Sequence, residues 1–298
     1  MKFSSRAERI DPFYVMEVAK AAQAMAREVA GTSEPMIFLN IGEPDFTAPP
    51  LVQEAAAKAV RDGATQYTNA LGLDALRERI SGWYQSRFGV DVPARRIVVT
   101  AGASAALHLA CLALIERGDE ILMPDPSYPC NRHFVSAAEG RAVLVPTTAA
   151  ERYQLSSDKV QAAWTDKTRG VLLASPSNPT GTSIAPAELR RIHEVVQSRG
   201  GVTMIDEIYL GLSYEEEFGH TALAIDEHII SINSFSKYFN MTGWRLGWMV
   251  VPEAMVPVVE RLAQNLFICA STVSQMAALA CFEAESIAEY ERRRAEFK

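Results

Sequence analysis

A lysine set between small hydroxyl residues, with an arginine eight positions on, combines a nucleophile with an anion clamp. Ser234, Ser236, Lys237 and Arg245 form that group in the stretch Ser234-Phe235-Ser236-Lys237-Tyr238-Phe239-Asn240-Met241-Thr242-Gly243-Trp244-Arg245. A lysine amine attacks a carbonyl only when deprotonated, and a partly buried, cation-flanked site favours that form. The serines and the guanidinium can hold a phosphate dianion through charge-assisted hydrogen bonds. Taken alone, Ser-x-Ser-Lys reads more readily as a surface lysine in a polar loop, and the rest of the chain must decide.

The elements that position the lysine are legible from hydrophobic runs. His228-Ile229-Ile230-Ser231-Ile232-Asn233 reads as a buried strand ending just before it. Four more residues of useful chemistry follow strands in the same way. Ile97–Thr100 leads into Gly102, Ala103 and Ser104 at the start of a helix, where free backbone N–H groups and the helix dipole attract anions. Close packing of small residues explains that turn as well. Glu120–Met123 leads to Pro126-Ser127-Tyr128-Pro129, where Tyr128 either stacks on a flat ring or packs on the prolines. Gly170–Ala174 leads to Asn178, and Val202–Ile205 leads to Asp206 and Tyr209. An aspartate ending so apolar a strand needs a partner, or caps a following helix. Strands alternating with helices predict a mostly parallel α/β sheet covered on both faces, with ligands at the strand C-terminal ends. An imine-forming lysine beside a phosphate clamp is what pyridoxal phosphate (PLP) requires.

Before the sheet, residues 15–28 and 50–61 and the stretch from 73 to 87 read as helices, the first ended by Gly31. Asp11-Pro12-Phe13-Tyr14 reads as an extended arm, and Ile37-Phe38-Leu39 as a short strand feeding the loop around Gly42. That loop reads equally as an ordinary Gly-Pro turn. After the lysine, helices are expected near 253–266, 272–284 and 285–297.

The chain of 298 residues is 48% hydrophobic, enough for a large core, and its net charge of −7 argues against non-specific nucleic-acid binding. Its four cysteines form no CxxC pair, and no apolar run approaches a membrane span. With no signal-peptide pattern at the N-terminus, the expectation is a cytoplasmic protein without metal.

The chain resembles the class I/II aminotransferases of PLP fold type I. The matching stretches are Asn40-Ile41-Gly42-Glu43-Pro44-Asp45-Phe46, Tyr67 with Gly72, Thr100-Ala101-Gly102-Ala103-Ser104, Pro126-Ser127-Tyr128-Pro129, Ser175-Pro176-Ser177-Asn178-Pro179-Thr180-Gly181, Asp206-Glu207-Ile208-Tyr209 and Ser234 through Arg245. They fall in the family's order across nearly the whole chain. The resemblance implies a three-layer α/β/α large domain over residues 46–284, flanked by an arm and part of a small domain over 1–45, and by the start of a C-terminal small domain over 285–298. It implies a Schiff base between PLP and Lys237, which then moves the proton in amino transfer from an L-amino acid to a 2-oxo acid. It implies that Asp206 pairs with the ring nitrogen, that Asn178 and Tyr209 bind the phenolic oxygen, and that Tyr128 stacks on the ring. Ala103, Ser104, Ser234, Ser236 and Arg245 would hold the phosphate. Tyr67 would reach the phosphate of a partner subunit in a homodimer with shared sites, and Gly42 and Asn178 would meet the substrate.

The C-terminal end departs from the family pattern. A carboxylate-gripping arginine is expected in a C-terminal small domain, and Arg292, Arg293 and Arg294 lie too early to stand in for it. A truncated form, with its turnover in question, is the expectation. A PLP-dependent C–S β-lyase on the same scaffold and a PLP-binding module without activity are the alternatives.

Overall fold

The computed structural model describes all residues from Met1 to Lys298. Seven strands form one sheet: β1 (Ile97–Thr100), β2 (Glu120–Asp125), β3 (Arg141–Pro146), β4 (Thr168–Ala174), β5 (Val202–Asp206), β6 (Ile230–Ser234) and β7 (Gly247–Val250). Their spatial order is β1-β7-β6-β5-β4-β2-β3. The neighbours from β6 to β3 run parallel, whereas β7 is antiparallel to both β1 and β6.

Four helices precede the sheet: α1 (Ser5–Glu8), α2 (Tyr14–Glu28), α3 (Pro50–Arg61) and α4 (Asp74–Phe88). Between strands lie α5 (Ala103–Leu114), α6 (Asn131–Ala137), α7 (Ser157–Ala163) and α8 (Pro186–Ser198). The chain ends in α9 (Val256–Leu266), α10 (Thr272–Leu279) and α11 (Ala284–Phe297). None of these helices is long and apolar enough to cross a membrane.

Strand alternation sorts the core into layers. Ile97, Val99, Trp248 and Val250 face a cluster with Trp83, Tyr84, Phe235, Phe239 and Tyr290. Val98 and Met249, one residue out of phase, face α5 and α9 with Met204 and Ile232. Leu122, Val171, Leu173 and Ile205 pack with Leu189 and Ile192 of α8. Helices therefore cover both faces, as the buried apolar runs require.

Three sequence expectations are corrected. Ile37-Phe38-Leu39 is not a strand: it pairs with nothing and leaves Ile37 and Leu39 exposed, because β-propensity without a neighbouring strand supplies no ladder bonds. The strand expected from His228 begins at Ile230, since the His228 N–H donates to Asp226 Oδ1 (2.7 Å) in a turn. The helix expected over 253–266 begins as a single 3-10 turn at Glu253–Met255 and becomes α-helical at Val256. The four thiols are free, Cys111 and Cys281 buried and Cys130 and Cys269 half-buried.

Candidate active site

Gly102, Tyr128, Asn178, Asp206 and Lys237 all leave the sheet at one edge, after β1, β2, β4, β5 and β6 respectively. β7 is the element that closes this edge. Its register sets Gly247 opposite both Thr100 and Ser234, and a side chain at Gly247 would meet the Ala103 N–H and the Asn233 carbonyl at 2.8 Å. Arg245, left-handed at φ +51°, is thereby delivered next to Gly102. A Cβ on Gly102, itself at φ +85°, would lie 2.6 Å from the Arg245 guanidinium. Only glycine fits there.

The anion cradle follows from these contacts. The N–H groups of Ala103 and Ser104, the first two of α5, have no backbone acceptor, whereas those of Ala105 and Ala106 donate to the Gly102 carbonyl (3.1 and 3.3 Å). Ser234 Oγ donates to Ser236 Oγ (2.9 Å) and contacts the Leu246 carbonyl (3.1 Å), and the Ser236 N–H donates back to Ser234 Oγ (3.0 Å). The Arg245 Nη1 donates to the Thr242 carbonyl (3.0 Å) and bonds no carboxylate. A cluster of donors with no acid among them suits a dianion.

Asp206 ends β5 in the interior, 7% exposed. Burial pushes its carboxyl up to about 6, and the Ile208 N–H and the Lys237 ammonium pull it partly back. Its carboxylate's one hydrogen bond is from that N–H (3.0 Å), within a turn; the 3-10 helix that follows, Leu210–Leu212, is preceded by Tyr209, so Asp206 caps no helix. Glu207, the next residue, is buried and satisfied by Thr221 Oγ1 (2.8 Å), Ser231 Oγ (2.6 Å) and the Ala222 N–H (2.7 Å). Asp206 has no such set of donors, which leaves it seeking a cationic partner.

Lys237 is half-buried, and desolvation lowers its ammonium's pKa, favouring the neutral amine. Glu43 opposes this, Arg245 reinforces it, and Asp206 opposes it. The amine donates to the Gly42 carbonyl, and Thr242 Oγ1 donates to Glu43, so loop 40–46 lies across the lysine. Lys237 Nζ is 5.5 Å from the centre of the Tyr209 ring. Burial raises the Tyr209 hydroxyl, as does Asp206, while a hydrogen bond with Asn178 lowers it. Burial likewise raises Tyr128, whose ring meets Phe13 of the N-terminal arm edge-on at 5.8 Å.

A cavity of about 700 Å³ opens beside these groups, lined by Gly42, Glu43, Asn178, Tyr209 and Lys237 and extending to Tyr214 and Phe218. The structure thus brings Gly42, Asn178, Tyr209 and Lys237 around one cavity. Asp206 lies behind them, and Gly102–Ser104 and Arg245 form the cradle alongside. Tyr67 stands apart, 79% exposed. Its loop is tied to α10 by Thr272 Oγ1, which donates to the Gln66 carbonyl (2.6 Å), and by Gln275, which bonds Leu73 N and Thr68. Sequence reasoning did not single out Gln275, Glu207 or Arg293. A polar residue inside an apolar helix, as at Ala270–Leu279, was the available signal for Gln275; nothing marked Arg293 within its charged helix.

Known proteins resemble this chain in sequence and in fold. Residues 34–298 match the family model described as aminotransferase class I and II. A (5-formylfuran-3-yl)methyl phosphate transaminase of Methanocaldococcus jannaschii is 35% identical over 98% of this chain and 77% of its own length. A valine–pyruvate aminotransferase of Mycobacterium tuberculosis is 38% identical over 94% and 71%. Among solved structures, an aminotransferase from Mycobacterium tuberculosis superposes with a TM-score of 0.93 at 37% identity, covering 100% of this chain and 76% of that one. The Thermus thermophilus aspartate aminotransferase with maleate gives 0.92 at 28%, covering 99% and 77%. With that fold, that sheet edge and those relatives, the chain belongs to the class I and II aminotransferases, transferases of amino groups (EC 2.6.1.-).

Proposed function

We propose that this chain holds pyridoxal 5′-phosphate at the sheet edge and moves an amino group from an L-amino acid to a 2-oxo acid. The observation that carries the reading is a half-buried amine, Lys237, electrostatically coupled to a buried carboxylate that no cation hydrogen-bonds, Asp206, beside a cradle of donors that contains no acid. These residues fit a phosphorylated heteroaromatic aldehyde: the cradle suits its phosphate, Asp206 its ring nitrogen and Lys237 its carbonyl. When bound, the cofactor supplies an electron sink for the substrate's α-carbon.

Each residue then has a task. Asp206 keeps the ring nitrogen protonated through a charge-assisted hydrogen bond. Lys237, its neutral form favoured by desolvation, would be the nucleophile and then the base that moves the proton between the substrate's α-carbon and the carbon that carried the aldehyde. Asn178 and Tyr209, already paired, present donors to the phenolic oxygen. Tyr128 offers its ring for stacking. The amides of Ala103 and Ser104, with Ser234, Ser236 and Arg245, hold the phosphate. Gly42 and Asn178 border the substrate space, and Tyr67, exposed on this chain, would complete the site of a second copy in a homodimer. Residues 46–284 form the cofactor-binding body in this reading, with 1–45 and 285–298 belonging to smaller flanking units.

The test is amino transfer from a panel of L-amino acids to 2-oxo acids by the protein and by Lys237→Ala. The variant should still bind the phosphate end of the cofactor while turnover falls at least about 10³-fold, the scale of a lost general base. Full transamination by Lys237→Ala contradicts the assignment, and release of ammonia without a 2-oxo acid acceptor marks a lyase instead.

A further inference from the structure

The charged helix α11 ends the chain, and its arginines divide sharply. Arg292 is exposed and pairs with Glu289 and Glu296 along the helix surface. Arg293 is buried, 8% exposed, and points inward. Its Nε donates to Glu289 (2.7 Å), its Nη1 donates to Asn240 Oδ1 (2.8 Å) and to the Thr47 carbonyl, and its guanidinium lies 4.9 Å from the centre of the Phe46 ring.

Thr47 is exposed, and Asn240, although buried, belongs to the lysine loop. Thr47 closes the loop that lays Gly42 over the lysine amine. Asn240 lies three residues past Lys237, left-handed at φ +51°, and its Nδ2 donates to the Lys237 carbonyl (3.0 Å). One guanidinium nitrogen therefore bridges both walls that hold the amine. We propose that Arg293 is a positioning residue: through Asn240 and Thr47 it locks the lysine loop and the Gly42 loop in register, so that the Lys237 amine is presented to the cavity. An arginine serving only to staple α11 to the body would reach for core elements, and hydrogen bonds to two cavity loops give it a further consequence. A buried guanidinium must satisfy its donors, so the loops cannot move apart without stranding it.

The inference rests on the reading of Lys237 given above, and its test separates the two. Hydrogen exchange is measured on the cofactor-free protein, in segments 42–48 and 237–242, for Arg293→Met, Arg293→Lys, Asn240→Gly and the surface control Arg292→Gln. In Arg293→Met both segments should exchange together about tenfold faster, the loss of a hydrogen bond to a charged group. Arg293→Lys should not restore them, because a point charge cannot span both acceptors. Asn240→Gly, which keeps the left-handed backbone, should quicken the lysine segment, and adding Arg293→Met should quicken it no further. Capture of PLP on Lys237, fixed with borohydride, should slow in parallel, while Arg292→Gln matches the parent in every readout.

Release of only one segment, additive effects in the double variant, or full rescue by lysine overturns the proposal. If Arg293→Met does not fold, Arg293→Lys and Asn240→Gly carry the same comparison. If the parent protein never captures PLP on Lys237, the functional reading fails while the coupling of the loops is judged by exchange alone.

Discussion

The two walls of the cavity are built differently. One is the sheet edge: Asp206, Ser234 and Ser236 are buried, and behind the lysine loop Phe235 packs on Trp248 at 5.0 Å. The other is the segment from Met36 to Asp45, which has no regular structure and leaves Ile37 and Leu39 exposed. Its ties are few: Lys237 to Gly42, Thr242 to Glu43, and Arg293 to Thr47 just beyond. The groups assigned to the cofactor on this chain stand on the wall that folding itself makes rigid, and Gly42, assigned to the substrate, stands on the wall held by side chains. Preorganisation is inexpensive where the sheet already demands burial, and costs dedicated hydrogen bonds where it does not.

Substitutions on each wall sharpen that contrast. Trp248→Ala removes a fully buried indole that packs on Phe235 and Phe239 and donates to Tyr84 (3.1 Å). It should lower unfolding stability by about 3–5 kcal/mol in denaturant titration. A loss under about 1 kcal/mol would mean the sheet side is not the rigid wall.

Asp206→Asn probes the same wall through pH. Burial raises the Asp206 carboxyl from 3.8 to about 6, so the folded cofactor-free chain binds this proton more tightly than the unfolded chain does. Stability therefore declines as pH rises from the unfolded value through about 6, and stays reduced above it. The asparagine variant carries no such penalty. It should be more stable than the parent above pH 6 by up to about 3 kcal/mol, and the gap should close towards the unfolded-chain value. A gap independent of pH contradicts the desolvated carboxylate.

Leu39→Ser tests the loop wall. Leu39 is 89% exposed, so the stability of this chain should change by no more than about 0.5 kcal/mol. A large loss would show that the loop is packed after all, and the two walls would no longer differ.

The same contrast decides what could be read from the sequence. Strands with helices on both sides announce themselves as continuous apolar runs, which is why β4 and β5, and with them Asn178 and Asp206, were legible. β7 was not: Gly247-Trp248-Met249-Val250 is four residues long and follows the lysine loop without a turn of its own. Its antiparallel insertion between β1 and β6 is a tertiary fact, and it is what sets Arg245 against Gly102. The short helices α6 and α7 escaped because seven residues carry little periodicity. Ile37-Phe38-Leu39 misled for the opposite reason, since a β-branched and aromatic run looks like a strand whether or not a neighbour exists. Arg293 was hidden by its setting, because direction around a helix decides whether an arginine is solvated or buried, and three in a row cannot reveal which one turns inward.

The most direct test is borohydride reduction of the protein loaded with PLP, followed by proteolysis and mass measurement of every lysine-containing peptide. The account predicts one phosphopyridoxyl group per chain, on Lys237 and nowhere else. Label spread across exposed lysines such as Lys20 and Lys58, with Lys237 unmodified, would contradict it.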